Sequence, residues 1–166
     1  MKAEDLRALQ SPLKEKYKAD PQSAVITLKA ESELGEGVSC NVQTGKALVE
    51  AGLHPATGGT GMQACSGDML LQALVACAGV TLSAVATALG IPVNSGKLHA
   101  EGDLDFRGTL GVSKEAKVGF QEVRLYITLD SPASADDINK LIELTERYCV
   151  VLQTIRAPVE VNTFVN

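Results

Sequence analysis

Cysteine is the residue type in this sequence best suited to covalent chemistry, and the chain has four: Cys40, Cys65, Cys77 and Cys149. They lie far apart, with no Cys-x-x-Cys pair and no Cys/His cluster at the spacing of metal ligands. This pattern is typical of free thiols in a reducing compartment rather than of a disulfide framework or a zinc site. It predicts a cytoplasmic protein without a metal or other cofactor, in which a cysteine acts as a nucleophile only once its thiol is deprotonated.

Cys77 lies in the middle of the longest predicted helix. Ser66 is a suitable N-cap, and Gly90 followed by Pro92 ends the segment. Residues 69–89 carry no charge, and a run of this length can span a bilayer. A helix that is apolar all round also serves as the buried spine of a soluble protein, and the polar residues within the run favour that interpretation.

Small residues surround Cys77 at helical spacing, and such a stripe lets a second helix approach closely. The stripe consists of Ala73, Cys77, Val80, Ala84 and Ala88. Two interpretations of Cys77 stay open on this pattern. Its thiol is either a small buried packing group or a nucleophile.

Cys149 lies on a second predicted helix. Ser134 caps this helix, Asp137 can bond back to the cap, and Pro158 ends the pattern. The apolar stripe of the helix consists of Ile138, Leu141, Ile142, Thr145, Tyr148 or Cys149, and Leu152. The pattern therefore places Cys149 on the buried face.

Alternating apolar and polar residues predict strands on both sides of the long helix. These strands cover residues 24–30, 38–42, 98–106, 123–129 and 159–165. Residues 46–53 have mild helical character. An N-terminal arm or short helix (1–22) is expected to precede a single domain (23–166). The order of elements predicts an α+β fold, with an antiparallel sheet packed on a long buried central helix and a second helix.

Charge and composition narrow the range of partners. The chain has 166 residues, a formal net charge of -5 and 4% aromatic residues with no Trp. An acidic protein with few aromatic side chains has neither the positive electrostatic potential nor the aromatic stacking surface that holds a nucleic acid. Its negative charge also gives it little attraction to an anionic membrane. The sequence therefore predicts neither nucleic acid nor membrane as a partner.

Two segments resemble motifs of the OsmC/Ohr family. The first runs from Ser66 to Gly79 and resembles the helix that the family begins with a polar turn and carries to an Ala/Gly-Cys pair. The second, Tyr148-Cys149-Val150-Val151-Leu152-Gln153-Thr154-Ile155, resembles a motif that is usually Cys-Pro-Val followed by a small residue, Gln and an aliphatic residue. The order of elements agrees as well, so the likeness covers residues 24–164 and is to the broad OsmC-like branch rather than the organic hydroperoxide resistance branch.

The resemblance implies a thiol peroxidase that acts in oxidative stress defence as an intertwined homodimer with the long helices packed at its centre. In this role Cys77 is the peroxidatic cysteine, which attacks an organic hydroperoxide or hydrogen peroxide. Cys149 is the resolving cysteine, which converts the sulfenic acid into a disulfide. A thiol reductant then recycles the protein.

The sequence departs from the family in the group that activates the thiol. Family peroxidases use an Arg upstream of the long helix, held by a Glu, but here no Arg lies between Arg7 and Arg107. Asp68 is either a helix-dipole residue or a site carboxylate, and His54 is either a loop residue or the activating partner of Cys77. If the protein is a peroxidase, the sequence predicts that a cation stabilises the Cys77 thiolate.

Because the activating Arg is missing, two functions stay open. The first is the thiol peroxidase. The second is an OsmC-fold protein without peroxidase activity that binds a small apolar ligand at the dimer interface. Other cysteine chemistry, such as thiol–disulfide exchange or acyl hydrolysis, is a further alternative.

Overall fold

A computed structural model of the chain has antiparallel strands and helices and confirms the predicted α+β class. Its elements are β1 (Glu31–Leu34), β2 (Ser39–Gln43), β3 (Leu48–Gly52), α1 (Ser66–Leu89), β4 (Ser95–Asp103), α2 (Phe106–Thr109), β5 (Glu122–Asp130), α3 (Ala135–Tyr148) and α4 (Val150–Arg156). The structure describes residues 2–5, 8, 11, 19, 31–34, 39–43, 48–111, 113–157 and 159–165. Side chains are described for all of these except 31–34, 39–43 and 48.

The first sheet has three antiparallel strands in the order β1-β2-β3. β2 confirms a predicted strand, but β3 shows that the helical character expected for residues 46–53 is wrong. Every residue of β3 pairs with β2, from Leu48 opposite Gln43 to Gly52 opposite Ser39. An eight-residue helix would leave its first four N–H and last four C=O groups without helical partners, so pairing with a neighbouring strand outweighs a weak helical pattern. The strand expected at residues 24–30 lies outside the described residues.

The helix α1 has the predicted start and end. It begins at Ser66, carries Asp68 in its first turn, and is followed by Gly90, whose φ of 70° lies in the left-handed region that favours glycine. This helix is long and apolar enough to cross a membrane, and 28% of its apolar stretch is buried. A single helix of this kind is weak evidence for a membrane span, because the core helix of a soluble protein passes the same test.

The face of α1 that the chain buries differs from the predicted small-residue stripe. The buried residues repeat every fourth position and are Leu74, Ala78, Leu82 and Ala86. Ala73, Val80 and Ala88 of the predicted stripe are exposed, Val80 at 73% of its surface. The chain therefore covers one face of α1 and leaves much of the small-residue stripe open.

The predicted hairpin after α1 is confirmed as the pair of strands β4 and β5. Backbone N–H groups bond from Asn94 to Asp130 and from Gln121 to Asp103, each at 2.8 Å, so the two strands run antiparallel. β4 ends at Asp103 rather than continuing to Phe106. The reason is Asp105, whose carboxylate accepts from the Arg107 N–H at 3.1 Å and so caps the short helix α2.

The second predicted helix forms but is interrupted at Cys149. Ser134 caps α3 by accepting a hydrogen bond from the Asp137 N–H at 3.1 Å, as the sequence predicts. α3 ends at Tyr148 and α4 begins at Val150, although neither Pro nor Gly marks the interruption. Cys149 itself has an extended backbone, with φ −73° and ψ 105°.

The chain divides into two compact units. The first comprises Met1–Glu15, Ala73–His99 and Tyr126–Asn166, and the second comprises Lys16–Gln72 and Ala100–Leu125. In the first unit, Leu141 of α3 packs with Leu82 and Ala86 of α1 as a buried core. The predicted domain boundary after residue 22 lies outside the described residues and stays a prediction.

The C-terminal segment lacks the last predicted strand. Residues 159–165 have no regular secondary structure, and their apolar side chains are exposed. A strand needs a neighbouring strand to complete its hydrogen bonds, and among the described residues none pairs with this segment.

Candidate active site

Cys77 and Cys149 both belong to the first unit, where both are free thiols. Cys77 lies on α1 and is half-buried, whereas Cys149 lies between α3 and α4 and is 0% exposed. A hydrogen bond links the two side chains. The structure therefore brings together two thiols that are far apart in the sequence.

The interruption at Cys149 leaves backbone groups without their helical partners. The N–H of Cys149 donates to the Thr145 carbonyl at 2.9 Å, and the Gln153 N–H donates to the Cys149 carbonyl at 2.9 Å. Each of these is an ordinary helical bond between residues four apart. In a continuous helix Val150 and Val151 would donate to the carbonyls of residues 146 and 147, but here both N–H groups are directed at Cys77, and that of Val151 also bonds to the Cys149 thiol.

Hydrogen bonds lower the pKa of the Cys77 thiol. Partial burial by itself raises the pKa of Cys77, because it removes water from the thiolate. The bonds from the Val151 N–H, the Cys149 thiol, the Val150 N–H and the Thr81 hydroxyl outweigh burial and hold the pKa of Cys77 below its ordinary value. All four donors are neutral and belong to the first unit.

The pKa of Cys149 moves in the opposite direction. Burial raises this pKa most, a hydrogen bond from the Leu152 N–H offsets part of the rise, and the neighbouring Cys77 raises it again. When the pair loses its first proton, the negative charge therefore resides on Cys77 and Cys149 stays protonated. One sulfur is thus suited to attack, and its neighbour is suited to hold a proton.

The sequence did not identify Thr81, Val150 or Val151 as site residues. Thr81 follows Cys77 by four residues on the same helix, and that spacing puts both on one face. Ser83 and Thr87 on the same helix donate to carbonyls four residues earlier, at 3.0 and 2.7 Å. Nothing in the sequence marks the two backbone donors, because they depend on the interruption at Cys149.

His54 and Asp68, the other two predicted site residues, lie in the second unit. They line one cavity of about 330 Å³ together with Cys65, Phe106 and Phe120. The structure therefore brings the four predicted residues together as two pairs, one in each unit.

Local contacts fix the orientation of His54. Its Nδ1 accepts a hydrogen bond from the Ala56 N–H at 3.1 Å and so caps the 3-10 turn Pro55–Thr57. Its ring stacks on Phe106 with the centroids 5.0 Å apart. This geometry fits the loop interpretation of His54, and its role as the activating partner of Cys77 stays a prediction.

Two arginines near Cys149 have other contacts. Arg147 packs over the ring of Tyr148 at 5.5 Å, and Arg156 forms an ion pair with Glu146 at 2.8 Å. The neutral donors around Cys77 account for a lowered pKa without a cation from this unit. The cation that the sequence predicts beside Cys77 stays a prediction.

The fold is one that solved structures of OsmC-like and hydroperoxide resistance proteins share. An OsmC-like protein from Mycoplasma pneumoniae has a TM-score of 0.67 and 19% identity, over 80% of this chain and 89% of that one. An organic hydroperoxide resistance protein from Elizabethkingia anophelis has a TM-score of 0.65 and 17% identity, over 82% and 93%. The organic hydroperoxide resistance protein OsmC from Legionella pneumophila has a TM-score of 0.63 and 18% identity, over 80% and 91%.

Sequence comparison gives the family. A family model described as OsmC-like protein matches residues 59–164. This range contains Asp68, Cys77 and Cys149 and begins after His54. The chain therefore belongs to the OsmC-like protein family, as the resemblance of its two motifs suggested. No curated protein sequence matches the chain.

Proposed function

We propose that this protein is a thiol peroxidase in which Cys77 is the peroxidatic cysteine and Cys149 the resolving cysteine. The observation that carries the proposal is the pair of opposed shifts, with the pKa of Cys77 lowered and that of Cys149 raised by their surroundings. A peroxidatic cysteine must be a thiolate at neutral pH, and its resolving partner must lie within bonding reach. Membership of the OsmC-like family supports the same assignment.

The reaction needs only the two thiols and a reductant. The Cys77 thiolate attacks one peroxide oxygen, the O–O bond breaks, and the leaving oxygen takes up a proton to give an alcohol or water. The oxidised sulfur is now a sulfenic acid. The Cys149 sulfur attacks it, water leaves with the Cys149 proton, and a disulfide remains. A thiol reductant returns the disulfide to two thiols by exchange, supplying two electrons and two protons.

Apolar surroundings favour an organic hydroperoxide over hydrogen peroxide. Val150, whose N–H bonds to Cys77, is 69% exposed. Burial of such a side chain against the alkyl part of a substrate stabilises the complex by about 25 cal/mol per Å² of apolar surface. Two of the similar solved structures are named organic hydroperoxide resistance proteins.

The proposal includes a homodimer in which a second copy covers the open stripe of α1. The large exposed apolar residues on or beside this stripe are Leu70 and Val80. Small residues beside them allow close approach of another helix, so the stripe suits a symmetric contact between two copies. The expected result is a dimer by sedimentation at low micromolar concentration, and a folded monomer there would contradict it.

The widely spaced cysteines support a location in the cytoplasm.

The second function is binding of a small apolar ligand, which the sequence analysis expects at the dimer interface. A cavity within one unit supports binding of such a ligand but not that location. A cavity of about 260 Å³ in the second unit is lined by aliphatic and aromatic side chains, among them Leu53, Leu104, Phe106, Val118 and Phe120. A cavity of this kind suits an apolar molecule of a few heavy atoms. A protein with this function would bind such a ligand and consume no peroxide.

Single-turnover kinetics with cumene hydroperoxide test the proposal. The thiolate fraction of Cys77 rises with pH, so the rate should rise with pH and reach half its maximum below about 8.5, the ordinary pKa of a free thiol. The sign follows from the lowered pKa, because at any lower pH more of Cys77 is ionised than in an ordinary thiol. Hydrogen peroxide is the matched second substrate and should react more slowly. Absence of reaction with either peroxide would favour the binding function.

A further inference from the structure

The interruption between α3 and α4 leaves a backbone carbonyl without its helical donor, and a side chain bonds to this carbonyl instead. Removing the Val150 N–H from the helix leaves the Glu146 carbonyl without its usual donor. The side-chain amide of Gln153 fills this position, with its Nε2 2.8 Å from the Glu146 oxygen. The contact joins residues seven apart, on opposite sides of Cys149.

The hydrogen bond from Gln153 to the Glu146 carbonyl affects Cys77 because the Val150 N–H has two competing acceptors. One is the Glu146 carbonyl, which would make the helix continuous, and the other is the Cys77 sulfur. Without the Gln153 amide, the Glu146 carbonyl is free to accept from the Val150 N–H, and that bond would make the helix continuous. A carbonyl already bonded to the Gln153 amide gains less from the return of Val150.

From this geometry we propose that Gln153 is a positioning residue for Cys77, because its amide holds open the interruption that directs two backbone N–H groups at the sulfur. The proposal rests on the proposed role of Cys77 as the nucleophile. Gln153 does not contact the reacting sulfur in this mechanism. It acts through the backbone of Val150 and Val151.

Peptide-resolved alkylation of the full-length protein by iodoacetamide, as a function of pH, tests this role. Gln153→Met keeps the side-chain length and removes the donor without adding charge, and Gln153→Glu also removes the donor but adds a negative charge. Thr154→Ala is the matched control, an exposed neighbour on the same helix. Unfolding temperature and far-UV circular dichroism are recorded for all three variants. Since alkylation needs no peroxide, the result is independent of whether the protein proves to be a peroxidase.

We expect Gln153→Met to raise the pKa of Cys77 by about half a unit or more, which is roughly threefold less thiolate at pH below that pKa. Gln153→Glu should raise this pKa at least as much, and Thr154→Ala should leave it unchanged. A folded Gln153→Met variant with the parent pKa would overturn the proposal, as would a rise seen with Gln153→Glu alone, which reports only added charge. Loss of the fold in both Gln153 variants would also overturn it, since the side chain would then be structural.

Discussion

In the part of the chain whose side chains the structure describes, Cys77 and Cys65 lie in different units, and donors directed at a sulfur are found at Cys77. In the first unit, Cys77 receives hydrogen bonds from two backbone N–H groups, a thiol and a hydroxyl, and its pKa falls. In the second unit, Cys65 shares a cavity with His54 and Asp68, but the Nδ1 of His54 is bonded to the backbone of Ala56.

Directed hydrogen bonds, rather than the nearness of ionisable side chains, mark the candidate nucleophile in this protein. Neutral donors stabilise a thiolate when they point at it. A histidine already engaged with its own turn makes a weaker case, even though histidine is the residue type that sequence reasoning selects first.

Substitution of Cys77 in the first unit should have a far larger effect than substitution of Cys65 in the second. Cys77→Ser should reduce the rate of peroxide consumption by at least about 100-fold, because a serine hydroxyl at neutral pH is a far poorer nucleophile than a thiolate. Cys65→Ser is the matched variant in the second unit and should retain the parent rate. Stopped-flow measurement with cumene hydroperoxide checks both, and a large loss in the Cys65 variant would invert the comparison.

The second prediction removes one backbone donor from the first unit. Val150→Pro deletes the N–H at the first position of α4, where proline is tolerated, and Cys149 already has the extended backbone that a residue before proline adopts. The pKa of Cys77 should rise by about one unit, which is roughly tenfold less thiolate at pH below that pKa. Val150→Ala keeps the N–H and serves as the control. Equal pKa values for Cys77 in the two variants would remove Val150 from the site.

A smaller effect is expected from the hydroxyl donor on α1. Thr81→Val removes the hydrogen bond to Cys77 with little change in shape, and the pKa of Cys77 should rise by about half a unit. Thr87→Val is the control, because that hydroxyl donates to the Ser83 carbonyl at 2.7 Å instead. The alkylation rate of Cys77 against pH measures both variants. A shift of similar size from Thr87→Val would mean that the change in α1 is general.

The smallest expected effect tests the second unit directly. The sequence predicts that His54→Gln slows the reaction about tenfold or more if the imidazolium activates Cys77. Since four donors of its own unit lower the pKa of Cys77, we now expect His54→Gln to leave this pKa within about 0.2 units. A clear rise would show that His54 acts on Cys77 in the assembled protein and would restore the sequence-based interpretation.

The spacing of apolar residues is sufficient to predict α3 and the hairpin of β4 and β5, because each of these repeats one buried face along the chain. The ends of α1 follow from Ser66 and Gly90, but an uncharged helix that is apolar all round does not show which of its faces the chain buries. The spacing fails at β3, where pairing with a neighbouring strand decides the structure. It fails again at Cys149, since the interruption results from competition for the Val150 N–H between a carbonyl in the same helix and a sulfur on α1. Such competition leaves no local signal in the sequence.

The candidate site could be predicted only in part. The residues alone left Cys77 open between packing and chemistry, and the resemblance of two motifs selected Cys77 and Cys149. The structure adds the opposed pKa shifts and the donors that cause them. Val150 and Gln153 were beyond the sequence, because their roles depend on contacts between α1 and a chain segment about 70 residues later. Thr81 is different, because its spacing of four residues from Cys77 already places it on the same face of α1.

The most direct test of the central claim is peptide mapping of disulfides after one equivalent of cumene hydroperoxide and quenching by alkylation. We expect one new disulfide, between Cys77 and Cys149, with Cys40 and Cys65 recovered as alkylated thiols. Cys149→Ser should stop the reaction at a trapped Cys77 sulfenic acid. A disulfide that contains Cys65, or recovery of all four thiols unchanged, would contradict the assignment of Cys77 and Cys149 as the redox pair.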